Sequence, residues 1–278
     1  AILATHAITK PILNAIVQTA HELGVSVTGQ LWASDARDAI ASRMDGLENT
    51  SLIPESDTYP RSRTRGHLSV SRRIALLAKI WSEVNWEATT EVAHLMAEQG
   101  MFLAPELVSF EAWAGLYDAE LKYDRDWIEY GPMGLAEGFK KHNLYISQEW
   151  GKEEISLMEK AVESYKRFCS IFYSAGGLLV TGTDLSFGGI FLHREMDHFL
   201  QIGLTPLEVI RSATRQAASV LGREDIGCLA PGWVADLIVV KGNPTVDLKV
   251  LRDVRYTFVG GYPVVFDGIV KDLSVAKG

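Results

Sequence analysis

Residues 177–189 read GLLVTGTDLSFGG, an apolar run that stops abruptly at Gly-Thr-Asp. Short continuous apolar runs are typical of parallel strands that are buried on both faces. An aspartate at the exit of such a strand can bind a metal, accept a proton from a metal-bound water, or cap the next turn. Asp184 is therefore the first candidate for a functional residue.

The segments before this strand alternate between helical and strand-like patterns. Apolar spacing and capping residues predict helices at 11–23, 34–44, 86–99, 152–175 and 204–222. Short apolar runs predict strands at 25–30, 46–53, 101–108 and 177–184. Such alternation predicts a parallel sheet with covering helices, either an open doubly wound sheet or a (β/α)8 barrel. No GxGxxG follows an early strand, which weakens the dinucleotide-binding version of the open sheet.

The character of the sequence changes after Gly222. WVADLIVVKG, RYTFVGG and YPVVFDG read as short strands separated by glycines. We therefore expect two parts, an α/β part at 1–222 and a C-terminal small β-sheet at 223–278.

Composition narrows the class of partner. The chain has 278 residues and a formal net charge of −8, which argues against a nucleic-acid partner because phosphate binding needs a basic face. No apolar run approaches the ~20 residues that span a bilayer, so no membrane partner is expected. Two cysteines without a CxxC spacing suggest reduced thiols and a cytoplasmic location. The chain begins without Met, which leaves a processed or trimmed N-terminus open.

Polar residues stand at the exits of all four predicted strands. They are Gln30, the pair Glu48 and Asn49, Glu106, and Asp184. Each alone could cap the following turn, but in a barrel the chemistry lies at the carboxyl ends of the strands. Four polar exits together predict a pocket for a small-molecule substrate.

The sequence around Asp184 resembles the metal-dependent amidohydrolase superfamily. GTD at the last strand is followed by HRE, by the helix GLTPLEVIRSATRQAASVLG, and by IGCLAPGWVADLIVVKGNP and LRDV. The resemblance is greatest to imidazolonepropionase-like and Xaa-Pro dipeptidase-like enzymes. TAHELGVSV and GLENTS fit the regions of the fifth and sixth barrel strands, so the resemblance covers most of the chain.

The resemblance implies a (β/α)8 TIM-barrel-type fold with a composite β-sandwich made from both chain ends. It implies one or two divalent metals, usually zinc, that activate water against an amide, a cyclic amide or a dipeptide. Asp184 matches the aspartate that binds metal and acts as general base. Glu106 and His193, the latter in FLHRE, are expected to contact substrate.

The match fails at the usual histidine ligands. Gln30 stands at the exit of the fifth strand and Asn49 at the exit of the sixth, where the family has histidines. Neutral amides are poor zinc ligands compared with imidazole. The sequence has no His-x-His pair, and only strands five to eight of the barrel have a counterpart.

Three hypotheses follow. The chain is part of a larger enzyme whose missing strands come from another copy or from an N-terminal partner chain. Alternatively, it is a non-catalytic, metal-free subunit or binding protein with the amidohydrolase fold. Finally, it is a divergent hydrolase of C–N bonds, whose ligands include Asp184 and unexpected residues such as His6, His67 or Glu106.

Overall fold

Strands and helices alternate along the chain in the computed structural model, which describes residues 1–6, 8–49, 53–54, 70–115, 150–185, 188–266 and 269–270. Two compact units divide at His198 and Phe199. Most of the segment 54–72, including His67, and most of the aromatic segment 111–150 lie outside the described residues.

The first unit holds two groups of strands and their helices. Its described elements are β1 (Ile2–His6), α1 (Lys10–Glu22), β2 (Val27–Leu31), α2 (Ala36–Ala41), β3 (Gly46–Glu48), α3 (Val70–Ser82), α4 (Trp86–Glu98), β4 (Phe102–Ala104), α5 (Leu107–Gly115), α6 (Lys152–Ser174), β5 (Leu178–Leu179) and α7 (Gly188–Gln201), the last running past the unit boundary.

All strand pairs in this unit are parallel among the described residues. β1 pairs with β2, and β4 lies between β3 and β5, with Phe102 opposite both Gly46 and Leu178. The predicted parallel pairing is confirmed for these strands. Parallel pairing places all carboxyl ends of one sheet at the same edge, so Glu48, Ala104 and the exit of β5 lie together there.

The core is built around α6. Its buried residues recur at intervals of three and four, which is the spacing of one helix face, and include Tyr165, Phe168 and Phe172. Trp81 of α3 lies 4.8 Å from the Tyr165 ring, centroid to centroid, and 5.8 Å from that of Phe168. Each such buried side chain contributes about 1.5–3 kcal/mol to stability. This cluster fixes α6 behind the strand exits.

Two helices begin at polar side chains that accept a hydrogen bond from the first helical turn. The Asp35 carboxylate accepts from the amide of Asp38 at 2.9 Å at the start of α2. Asn85 accepts from the amide of Ala88 at the start of α4. Because these caps satisfy amides that have no partner within the helix, they fix where the helices begin.

Several predicted boundaries differ from the structure. The strands predicted at 46–53 and 177–184 are Gly46–Glu48 and Leu178–Leu179, and Gln30, predicted at a strand exit, lies within β2. The strand predicted at 101–108 ends at Ala104, because Pro105 has no amide for a ladder and Glu106 has a φ of 53°. The helix predicted at 204–222 is interrupted at Thr214, whose φ and ψ of −130° and −92° are not helical. Two short helices result, α8 (Pro206–Ser212) and α9 (Arg215–Val220).

The second unit ends in an antiparallel sheet of order β6-β7-β8-β9 among the described residues. Its strands are β6 (Leu237–Val240), β7 (Val254–Val259), β8 (Tyr262–Phe266) and β9 (Ile269–Val270), and a 3₁₀ helix spans Leu248–Arg252. Gly260 and Gly261, with φ of 56° and 85°, form a two-residue hairpin turn that L-residues with a side chain rarely adopt. None of the helices in the described ranges combines the length and apolar character needed to cross a membrane.

Candidate active site at the strand exits

Three residues at the exits of β3, β4 and β5 have a left-handed backbone. Asn49, Glu106 and Asp184 have φ of 58°, 53° and 44°. Most residues with a Cβ pay about 1–2 kcal/mol for this conformation, and Asn and Asp pay less, so at Glu106 in particular it persists only where surrounding contacts enforce it. Its occurrence at three neighbouring exits marks this edge of the sheet as a candidate functional site.

Asn49 and Asp184 are joined by a hydrogen bond. The Asn49 amide nitrogen Nδ2 donates to Oδ2 of Asp184 at 3.0 Å. Asn49 is 1% exposed, whereas Asp184 is exposed to solvent. The bond therefore anchors one oxygen of an accessible carboxylate to the buried exit of β3.

Glu106 is buried beside this pair. Burial, followed by the negative charges of Asp184, Glu48 and Glu195, raises the pKa of Glu106 to about 9, against an opposing hydrogen bond with Asn49. Glu106 is therefore protonated at neutral pH and can donate a proton.

The chain leaves room for Glu106 at Gly182. A Cβ at that position would lie 3.1 Å from Cγ and 3.2 Å from Oε1 of Glu106. Glu106 thus packs directly on the segment that carries Asp184. The glycine of the Gly-Thr-Asp motif has a packing role that its sequence position alone did not indicate.

Glu48 also belongs to this group of acids. Strand alternation predicts that Glu48 and Asn49 point in opposite directions. β3 ends at Glu48 and Asn49 turns into the left-handed region, so the strand alternation applies only as far as Glu48. Burial raises the pKa of Glu48 above its usual value, and the charge of Asp184 adds to the rise.

A fourth acid supports the site from behind. Glu195 of α7 is fully buried, and its Oε2 accepts from the amide of Val108 at 2.8 Å, in the first turn of α5. Burial raises the pKa of Glu195 to about 8, although backbone hydrogen bonds oppose the rise. The sequence analysis singled out His193 in FLHRE and not Glu195, two residues further on.

The protein family of this chain follows from a match to a family model. The model of the amidohydrolase family matches residues 4–264. The chain belongs to the amidohydrolase family.

Individual members of the amidohydrolase family match over shorter lengths or at lower identity. Ochratoxinase of Aspergillus niger is 30% identical over 115 residues, which are 40% of this chain and 24% of that protein. Bottromycin amidohydrolase has a TM-score of 0.69 at 18% identity, covering 96% of this chain and 56% of the other. A Xaa-Pro dipeptidase structure with bound methionine has a TM-score of 0.59 at 19% identity, covering 92% and 48%. The chain spans about half the length of these structures, and their likeness confirms a TIM-barrel-type α/β fold.

Members of the amidohydrolase family are generally metal-dependent, but the described residues do not fit a complete metal centre. Asn49 offers a neutral amide already bonded to Asp184, and Glu106 is buried. Within the described ranges, no group of three or more His, Cys, Asp or Glu side chains is arranged to hold a metal ion. Asp184 is the one predicted ligand here that is both a carboxylate and exposed.

The structure brings together some of the predicted site residues of this amidohydrolase. Asn49, Glu106 and Asp184 interact at one sheet edge. Gln30 is half-buried in β2, which belongs to the other described parallel sheet. His193 is half-buried in α7, two residues before Glu195.

Proposed function

We propose that this chain hydrolyses C–N bonds in small amides, cyclic amides or dipeptides, with Asp184 as the general base. The observation that carries the proposal is an exposed carboxylate, Asp184, beside a buried carboxyl group, Glu106. Asp184 is exposed and acts on Glu106 as a negative charge, whereas Glu106 is buried with a pKa of about 9. Environments that separate the pKa values of two neighbouring acids are how one base and one acid coexist at neutral pH.

The proton transfers balance within this pair. A water held at Asp184 attacks the carbonyl carbon, and the Asp184 carboxylate accepts the proton that the water loses. Glu106 donates its proton to the leaving nitrogen as the C–N bond breaks. Asp184 then holds a proton and Glu106 has lost one, and transfer from the first to the second restores the starting state.

Substrate contacts are proposed for two further groups. The Glu106 carboxyl would touch the leaving group, and His193 would contact the remainder of the substrate from α7. A divalent metal, zinc by the resemblance of the sequence, would add Lewis-acid polarisation of the carbonyl if further ligands completed a centre around Asp184. Those ligands would lie outside the described group of acids.

The proposed architecture is the later part of a barrel. We propose that residues 1–222 correspond to about strands five to eight and residues 223–278 to part of the composite β-sandwich, in a cytoplasmic protein. The coverage of about half of each related structure supports this assignment. A second copy of this chain or an N-terminal partner chain would complete the barrel.

A second candidate is a non-catalytic, metal-free subunit that binds a ligand or partner. Gln30 and Asn49 favour it, because both replace histidines expected at the strand exits. In this case Asp184 would serve only to hold Asn49.

Asp184→Asn and Glu106→Gln test the two roles. Each is expected to lower kcat by about 10²–10⁴ on any substrate found in a panel of dipeptides, N-acyl amino acids and cyclic amides, since each removes one proton transfer. The exposed Glu98→Gln is the matched control and should retain wild-type kcat.

Turnover that survives Asp184→Asn unchanged would rule out Asp184 as general base. Absence of wild-type turnover across the panel, with and without added zinc, would favour the non-catalytic subunit.

A further inference from the structure

Tyr165 connects two of the strained exits with one hydroxyl. It lies in the middle of α6 with its side chain fully buried. Its hydroxyl is 2.8 Å from the backbone carbonyl oxygen of Asn49 and 3.0 Å from that of Pro105. A hydroxyl has a single hydrogen, so the two carbonyls share one donor.

Both carbonyls need a donor from outside the sheet. β3 ends at Glu48 and β4 at Ala104, and the next carbonyls, of Asn49 and Pro105, stand beyond the ladder. A buried carbonyl without a partner is strongly unfavourable. The backbone amide of Asn49 donates to the carbonyl of Ala104 at 2.9 Å. Tyr165 adds a second link between the same two strand ends, through the carbonyls of Asn49 and Pro105.

The ring that carries this hydroxyl is held on two sides. Trp81 lies 4.8 Å from the Tyr165 ring, and Phe110 meets it edge-on at 5.9 Å, measured between centroids. Burial raises the pKa of Tyr165 well above its ordinary value, so the hydroxyl remains a donor throughout the working pH range. A donor on a rigid helix, fixed by aromatic packing, restricts where the exits can move.

We propose that Tyr165 is a positioning residue of the candidate active site. By binding the carbonyls of Asn49 and Pro105, it sets the separation between the side-chain amide of Asn49, which donates to Asp184, and the carboxyl group of Glu106. Its effect on turnover rests on the proposed function; its effect on the two exits does not.

Tyr165→Phe tests this role in the intact chain by two independent readouts. Hydrogen exchange resolved at single residues by NMR should show the backbone amide of Asn49 exchanging at least about tenfold faster than in the wild type, because its hydrogen bond to Ala104 loosens. The Val180 amide, which donates to Leu103 at 3.0 Å, should change less than about threefold. If the chain turns over a substrate, kcat should fall at least about tenfold and KM should change less than about threefold.

Two control variants separate the hydroxyl from the packing around it. Tyr173→Phe removes a hydroxyl from the same helix and should leave both readouts unchanged. Phe168→Leu loosens the same aromatic cluster without touching the hydroxyl, and should speed exchange at Asn49 and Val180 alike. Should Tyr165→Phe not fold, 4-aminophenylalanine at position 165 supplies an N–H donor in the same place and should keep Asn49 exchange within about threefold of wild type.

The outcomes distinguish the effect of Tyr165 on the two strand ends from its effect on turnover. Unchanged Asn49 exchange in Tyr165→Phe, equal changes at Asn49 and Val180, or fast Asn49 exchange in the 4-aminophenylalanine variant would overturn the positioning role. A wild-type chain without turnover would count against the proposed function and leave the exchange result to decide the role of Tyr165. Selective exchange at Asn49 with an unchanged kcat would overturn positioning for catalysis.

Discussion

The two parallel sheets of the first unit end in different ways. In the sheet β1-β2, Gln30 lies within a regular strand, half-buried. In the sheet β3-β4-β5, three successive exits turn into the left-handed region at Asn49, Glu106 and Asp184. Two of the acids of the site, Glu106 and Asp184, therefore lie at positions with a left-handed backbone.

The strained exits are also the ones with buried support. Tyr165 holds the carbonyl of Asn49, and Glu195 accepts from the first turn of the helix that follows Glu106. Both supports come from helices packed behind the sheet. The difference between the sheets therefore extends from the backbone into the core.

Introducing histidines at both kinds of exit should have the largest effect. Gln30→His with Asn49→His supplies two imidazoles, which together with Asp184 form a three-ligand set that zinc accepts if the ends of β2 and β3 converge. We expect the double variant to bind one zinc at least about 10³-fold more tightly than the parent chain, measured by competition with a chromophoric chelator. Each single variant serves as control and should gain much less, because two protein ligands hold zinc weakly.

Zinc titration of the double variant and of the parent chain tests whether the ends of β2 and β3 converge. A double variant that gains no zinc affinity would mean that the exit of β2 does not converge with that of β3. Stoichiometric zinc in the parent chain would mean that ligands beyond the described cluster already complete a centre.

Replacing the buried, ionisable carboxyl group of Glu195 should have the next largest effect. The pKa of Glu195 in the folded chain, about 8, lies above its ordinary 4.5, so between these values the folded state keeps a proton that the unfolded state releases. The free energy of unfolding therefore falls as pH rises, by about 1.4 kcal/mol per pH unit for this group. Glu195→Gln stays neutral and keeps an acceptor for the Val108 amide, so its decline should be shallower by about that amount.

Urea unfolding at several pH values between 5.5 and 7.5 measures this slope. Glu98→Gln, at an exposed position, should follow the wild-type slope. If the Glu195→Gln and wild-type slopes are parallel, Glu195 is ionised in the folded chain and the support behind β4 is of another kind.

The smallest effect is expected from glycine substitutions at two left-handed positions, Arg43 outside the site and Asn49 within it. Arg43 has a φ of 60°, is exposed and follows the end of α2. Arg43→Gly should stabilise the chain by about 0.5–1 kcal/mol, because relief of the left-handed strain exceeds the added entropy of the unfolded chain. Asn49→Gly relieves similar strain but loses the bond to Asp184, so it should give no gain. Equal gains in urea unfolding would show that Asn49 contributes no compensating contact.

Periodicity and capping residues predicted most of the elements. The helices predicted at 86–99 and 152–175 and the strands that contain Gln30 and precede Asp184 follow from apolar spacing. Asp184 could be singled out because a charged residue that ends a buried strand is uncommon. These signals are local, so one sequence carries them.

The remaining features depend on contacts between distant residues. The hydroxyl that contacts the Asn49 carbonyl belongs to Tyr165, 116 positions away, so no local pattern at Asn49 indicates this contact. The protonation of Glu106 arises from burial and from acids on other strands. For the same reason the predicted strand 101–108 ran into α5, since its apolar letters suit a buried helix equally well.

The buried acids make folding of this chain a reaction with a proton balance. Glu106 and Glu195 have pKa values of about 9 and about 8, so the folded chain at neutral pH takes up about two protons that the unfolded chain leaves in solution. The heat of unfolding in a calorimeter then includes the ionisation heat of whatever buffer receives those protons. The same chain would give different apparent enthalpies in phosphate and in Tris, although its structure and its stability at that pH are the same.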